Sequence, residues 1–168
     1  MGEDYNEHWK DITVKDKVVL DLGCDSGSTA KFFLDKGAKI VWGVEIVSSC
    51  AQMSLDRNLA NFFYIQGNIN NKDKIEQLLT TIRPDTVKVD IEGAERWLLI
   101  TNPDILKIPN EWYIEGHTIY LFKALSSMFK ELGYEVIDRF PIPECPDNRR
   151  RELRDEQYIT VFICRRKI

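Results

Sequence analysis

The chain has 168 residues, 43% of them hydrophobic and 30% charged, with a formal net charge of −4 at pH 7. That length supports one compact core and falls short of two ordinary domains, so residues 1–168 are expected to form a single domain. The negative balance weighs against a protein that coats nucleic acid, and no apolar run reaches the roughly 18 to 20 residues that span a bilayer.

Residues 1–16 form a polar N-terminal segment whose MGEDYNEHWKD start lacks the basic-then-apolar plan of a secretory signal. Four cysteines (Cys24, Cys50, Cys145, Cys164) make no CxxC pair, which points to reduced thiols in a cytoplasmic protein and away from a zinc or redox motif. Then KVVLDLG (17–23) reads as a strand, and SGSTAKFFLDKG (26–37) as a helix that ends at a glycine. AKIVWGVE (38–45) is a second strand, SSCAQMSLDRNLA (48–60) a second helix, NFFYIQG (61–67) a third strand and NKDKIEQLLTTI (71–82) a third helix. DTVKVDIEG (85–93) is a fourth strand, entered through Pro84, and AERWLLI (94–100) a short helix limited by Pro103. EWYIEGH (111–117), the helix 118–133, YEVIDRF (134–140), a long proline- and charge-rich loop (141–156) and QYITVFICRR (157–166) complete the order.

Strands alternating with helices imply crossover connections and an α/β, Rossmann-like architecture: a seven-stranded, mostly parallel sheet with helices on both faces. Only a loop joins the last two strands, so the final strand is expected to run antiparallel and to insert beside the fifth. In such sheets ligands lie at the carboxyl ends of the strands, which directs attention to the residues after Leu22, Val44, Gln66, Val89 and Ile114. The loop after the first strand, Gly-Cys-Asp-Ser-Gly from Gly23 to Gly27, is not a phosphate cradle. It lacks the Lys-Ser/Thr of a Walker loop, and Asp25 stands where a dinucleotide fingerprint has glycine and would repel a pyrophosphate. A ligand with a positive or neutral portion suits it better.

VVLDLGCDSGSTAKFFL followed by VWGVE resembles the first two motifs of the class I S-adenosylmethionine-dependent methyltransferases, with Asp21, Gly23 and Gly27 on the family pattern and Asp25 departing from it. The resemblance implies S-adenosylmethionine as cofactor, held by Asp21, Gly23, Cys24, Asp25, Ser26, Gly27, Glu45, Ile46, Gly67, Asn68 and Asp90. Glu45 would accept the ribose hydroxyls and Asn68 would meet the adenine amino group. The ordinary alternatives are a plain turn for the loop, a solvated strand end for Glu45 and a helix N-cap for Asn68. A second block, TVKVDIEGAERWLLI (86–100), is similar to the K-I-D-V-E-G-A-E block of FkbM-type methyltransferases, and EWYIEGH to their acid-x-His segment. That resemblance implies O-methylation of a small-molecule hydroxyl or carboxyl.

Asp90, Glu92, Glu95, Glu115 and His117 converge at neighbouring strand ends, and unpaired carboxylates in one place repel. A raised pKa, a cationic substrate, a divalent metal or amides at a helix N-terminus would each relieve the repulsion. His117 is the expected base for removing a hydroxyl proton, with Asp90, Glu92 and Glu115 beside it as catalytic candidates. No obligatory metal is expected, because octahedral magnesium is poorly served by a histidine. The rivals are a nucleic-acid methyltransferase and a cofactor-binding module without catalysis. DIEG replaces the Asn/Asp-Pro-Pro-aromatic segment common where base amines are methylated, while basic runs at 149–151 with Arg154 and at 165–167 offer phosphate contacts. The loop 141–156 is expected to close over substrate.

Overall fold

The computed structural model describes residues 9, 11–138 and 160–166. The loop 141–156, Cys145 and the arginines at 149–151 and 154 lie outside the described residues. The elements run β1 Val18–Leu22, α1 Ser28–Asp35, β2 Ile40–Glu45, α2 Ser48–Asp56, β3 Phe62–Gln66, α3 Lys72–Ile82 and β4 Thr86–Val89. A 3-10 helix Ala94–Ile100, α4 Pro103–Leu106, β5 Glu111–Gly116, α5 Ile119–Glu131, β6 Tyr134–Asp138 and β7 Thr160–Arg166 follow.

One seven-stranded sheet has the order β3-β2-β1-β4-β5-β7-β6. The first five strands pair in parallel, and β7 runs antiparallel between β5 and β6, the insertion expected from the sequence. Strand order reverses between β1 and β4, so their carboxyl ends open the crevice where such folds bind ligands.

The period-two alternation of the strands divides the core. Leu20, Leu22, Val87, Val89, Trp112, Ile114, Phe162 and Cys164 pack with Leu78 and Leu79 of α3 and Leu125 and Phe129 of α5. Val19, Val41, Tyr113, Val161 and Ile163 face the other way, against Ala30 and Phe33 of α1 and against Trp9, Ile12 and Val14. Because Val87 and Val89 point to the first face, Lys88 between them is delivered to the second.

Local signals explain the helix ends. Asn71 Oδ1 accepts from Lys74 N at 2.9 Å and Thr118 caps α5 through Leu121 N at 3.1 Å, the expected N-cap chemistry. Asn71, not Asn68, is thus the cap of α3. Residues 94–100 wind as a 3-10 helix rather than an α-helix, and a separate one-turn α4 begins at Pro103 with Asn102 Oδ1 accepting from Asp104 N at 2.9 Å. Asn-Pro is a helix-start signal, and it interrupts what would otherwise continue from the preceding turn.

Candidate active site

The floor of the crevice is a buried charge network. β1 and β4 place Asp21 opposite Lys88, and Lys88, 1% exposed, puts Nζ 3.2 Å from Asp21 Oδ1 and 3.5 Å from Asp90 Oδ2. It also donates to the Gly23 carbonyl at 2.7 Å and stands 5.7 Å over the Trp9 ring. Asp21 accepts a hydrogen bond from the Thr29 hydroxyl. Burial raises the Asp21 pKa, while Lys88 and Thr29 pull it back. Wholly buried and committed to Lys88, Asp21 supports the loop from beneath.

Gly23 is required by backbone, because a Cβ there would lie 1.7 Å from the Asp90 carbonyl oxygen. The glycine therefore lets the β1 loop touch the β4 loop. Asp25, at φ 47, is exposed. Its Oδ1 accepts from Cys50 Sγ at 3.1 Å, its Oδ2 from the Ser26 hydroxyl at 3.2 Å, and its amide donates to Glu45 Oε2 at 3.2 Å. Partial burial works to raise the Asp25 pKa, but the Ser26 amide, Cys50 and Arg57 outweigh it and lower the value. Arg57, just past α2, holds the same loop by donating to the Ser26 carbonyl at 2.7 Å and to Ser28 Oγ at 2.6 Å.

Above the floor lies a cleft of about 290 Å³ lined by Gly23, Val44, Glu45, Ile46, Gly67, Asn68, Ile69, Asp90, Ile91, Glu92 and Ala94, near the small end of ligand pockets (roughly 300–1,000 Å³). Six of the residues expected to hold cofactor line it: Gly23, Glu45, Ile46, Gly67, Asn68 and Asp90. Asp21, Cys24, Asp25, Ser26 and Gly27 do not. Cys24 turns into the sheet, where a Cβ on Gly43 would meet its Sγ at 2.6 Å, and Gly27, at φ 82, starts α1. Glu45 Oε1 accepts from the amides of Ile46 at 2.8 Å and Val47 at 2.9 Å, so the carboxylate also shapes its own loop. Sequence reasoning did not single out Val44, Ile69, Ile91 and Ala94. They are apolar neighbours of the polar candidates, and their spacing carries no signal beyond that of an ordinary core.

Beside the cleft, β5 brings His117 into the acids. Nδ1 lies 2.9 Å from Glu95 Oε1, and Nε2 lies 3.4 Å from Glu92 Oε2, 3.6 Å from Asp90 Oδ1 and 3.9 Å from Glu115 Oε1. Glu95, fully buried, also accepts from the Ile91 amide at 3.0 Å. Glu92 holds φ 52, a left-handed conformation sustained by its surroundings and found often at functional turns. Burial works against a charged His117, but the Glu95 hydrogen bond and the charges of Glu95, Asp90 and Glu92 raise its pKa to about 9. At neutral pH the ring carries its proton. The base role expected for His117 requires a ring that has given up its proton, because an imidazolium has no lone pair to offer. Asp90, Glu92 and Glu115 are the carboxylate acceptors beside it.

A sequence model of the FtsJ-like methyltransferase family matches residues 3–131, more than half of the chain. The chain belongs to the FtsJ-like methyltransferase family. It is an S-adenosylmethionine-dependent methyltransferase. The FkbM-type likeness rests on the β4 and β5 segments alone. No curated protein matches this FtsJ-like chain in sequence. Among solved structures, PH1948 from Pyrococcus horikoshii, named as a candidate RNA methyltransferase, superposes with a TM-score of 0.59 at 19% identity, covering 92% of this chain and 77% of that one. The fibrillarin pre-rRNA processing protein of Methanococcus jannaschii gives 0.59 at 18% identity, covering 90% and 67%. Aeropyrum pernix fibrillarin, crystallised with natively bound S-adenosylmethionine, gives 0.62 at 15% identity, again covering 90% and 67%. At these identities the likeness shows the shared fold. No helix among the described residues is long and apolar enough to cross a membrane.

Proposed function

We propose that this FtsJ-like protein transfers a methyl group from S-adenosylmethionine to a hydroxyl of RNA. The observation that carries the chemistry is the double position of Asp90, which lines the cleft and also faces the acid and imidazole cluster. A methyl donor held in the cleft would thereby stand beside a proton acceptor. The acceptor class draws on the family and on the RNA-related names of PH1948 and the Methanococcus fibrillarin. These favour RNA over the small-molecule acceptor expected from the FkbM-type likeness. DIEG in place of an amine-holding Asn/Asp-Pro-Pro-aromatic segment favours oxygen over a base nitrogen, and the ribose 2′-hydroxyl is the group that distinguishes RNA from DNA.

The cleft fits the cofactor by its donor set: three acids, Glu45, Asp90 and Glu92, with the amide Asn68, two glycines and no lysine or arginine among the lining residues. Such a set favours a cation with hydroxyls and disfavours phosphates. Glu45 would take the ribose hydroxyls, Asn68 and Ile46 the adenine, and Asp90 the side nearest the acceptor. When bound, S-adenosylmethionine supplies a methyl carbon on a positively charged sulfur for displacement in line by an oxygen lone pair. Lys88 braces Asp90 through Oδ2, and the carboxylates grouped at these strand ends would take up the hydroxyl proton as the oxygen attacks.

The test is transfer of radiolabelled methyl from S-adenosylmethionine to a panel of structured RNAs, DNAs of matching sequence and small hydroxylated compounds. Label in a sugar-methylated ribonucleoside after nuclease digestion is expected. Label confined to small compounds, to bases or to DNA would overturn the proposal.

A further inference from the structure

The acceptor side of this site is badly matched to a polyanion. Asp90, Glu92, Glu95 and Glu115 all lie within 4 Å of one imidazole, and the neighbouring cation, Lys88, is already divided between Asp21 and Asp90. Phosphates approaching that face meet net negative charge, so an RNA substrate calls for a further positive charge at this place.

We propose that Asp90, Glu115 and His117 bind one divalent transition-metal ion of the manganese or zinc type, with Glu92 as an outer arm. The inference rests on the RNA reading for its purpose, and on geometry for its existence. One ligand atom from each of Asp90, Glu115 and His117 lies within 4.8 Å of the others. The separations of 3.4, 3.6 and 3.9 Å from His117 Nε2 to the three carboxylates exceed the usual N–H···O range of roughly 2.7–3.2 Å. Ligand atoms bonded at about 2.0–2.2 Å around a tetrahedral ion stand about 3.3–3.6 Å apart. Asp90 Oδ1, 3.6 Å from Nε2, meets that spacing, and Glu115 Oε1 at 3.9 Å reaches it with a small side-chain adjustment.

A second feature lies outside that group. Glu95 is fully buried and fixes the opposite ring nitrogen of His117 at 2.9 Å, while its other oxygen, Oε2, meets no hydrogen-bond donor among the described residues. A carboxylate on Nδ1 is the support that metal-ligating histidines use to hold the ring and raise its basicity. Glu115 is itself only 8% exposed, so its charge too is held where solvent screens it poorly. The donor set selects the ion. One imidazole with two or three carboxylates suits manganese or zinc better than magnesium, which prefers oxygen ligands and keeps its waters. The histidine that argues against magnesium thus argues for a softer ion. Ligation needs the Nε2 lone pair, so binding expels the Nε2 proton.

Chelator-treated full-length protein titrated with Mn²⁺, followed by loss of the free-ion electron paramagnetic resonance signal, and with Zn²⁺ by competition against a chromophoric chelator, tests the site. One ion per chain is expected, with at least tenfold weaker binding in Glu115→Gln and in Asp90→Asn and a smaller loss in Glu92→Gln. Glu92 is 88% exposed at its side chain, so its variant reports on the site even where a buried substitution unfolds the chain, which melting curves would reveal. Binding that is absent at millimolar ion, or equal in all three variants, overturns the proposal. RNA methylation that persists in chelator with no ion bound sinks the metal site and leaves the RNA reading standing. A variant-sensitive ion with label only on small compounds supports the site and sinks the RNA reading.

Discussion

Single residues at this site are held by backbone as much as by ligand chemistry. Gly23 is the sharpest case. A side chain there collides with the Asp90 carbonyl at 1.7 Å, at a φ of +81 that only glycine adopts freely. Gly23→Ala is expected to destabilise the fold by more than the roughly 1 kcal/mol of an ordinary substitution and to weaken cofactor binding, since it parts the β1 and β4 loops. Calorimetric melting together with a cofactor titration checks both, and unchanged values in both would mean that the loops separate at no cost. His117 gives a second expectation. Its pKa rises from 6.5 unfolded to about 9 folded, so its contribution to stability is fully present below pH 6.5 and is lost as pH climbs through 9. The amount is up to roughly 3 kcal/mol at about 1.36 kcal/mol per unit. Chelator-treated protein should therefore melt at progressively lower temperature from pH 7 to 9.5, and His117→Gln should flatten that slope. A wild-type melting temperature that is level across this window would dismiss the idea.

At the scale of elements, legibility followed the strength of the local pattern. All seven strands and their order of alternation were readable, because β-branched and aromatic runs bounded by glycine and asparagine are strong signals. The antiparallel insertion of β7 was readable from connection length alone. Features set by partners distant in sequence are the ones that local pattern does not carry. The sequence offers Asp21 as a group near the cofactor, and only the pairing with Lys88 one strand away reveals it as a buried anchor. Gly23 lines the cleft, and its contact with the backbone 67 residues on, at Asp90, is visible only in the fold. Asn102-Pro103 marks the split of residues 94–106 into a 3-10 turn and α4. Because Asn71 and not Asn68 closes α3, Asn71→Ala should cost about 1 kcal/mol of stability without affecting cofactor binding. Asn68→Ala should do the reverse. Urea unfolding and calorimetric titration of both variants separate the two roles, and equal behaviour would show that the third connection acts as one unit.

At the scale of the whole molecule, Lys88 joins parts that share no sequence neighbourhood. It ties the β1 floor through Asp21, the glycine loop through the Gly23 carbonyl, the reacting side through Asp90 and the Trp9 ring from the start of the chain. Burying an ammonium costs several kcal/mol before any partner is counted, and its attraction to two carboxylates offsets that cost only while all three remain. Removing one member therefore does more harm than removing a pair. Lys88→Met should destabilise the protein by about 3–5 kcal/mol, because Asp21 is left as a buried charge with its principal cation gone. Adding Asp21→Asn to Lys88→Met should recover part of that loss, so that the double variant is more stable than the sum of the two singles implies. Cofactor binding should remain weak in the double variant, since Asp90 and the Gly23 carbonyl have still lost their brace. Urea unfolding of the four proteins gives the coupling directly. Additive losses would mean that the network is four separate contacts, whereas strong coupling with persistently weak binding would mean that one buried cation sets both the stability of the sheet's centre and the geometry of the site above it.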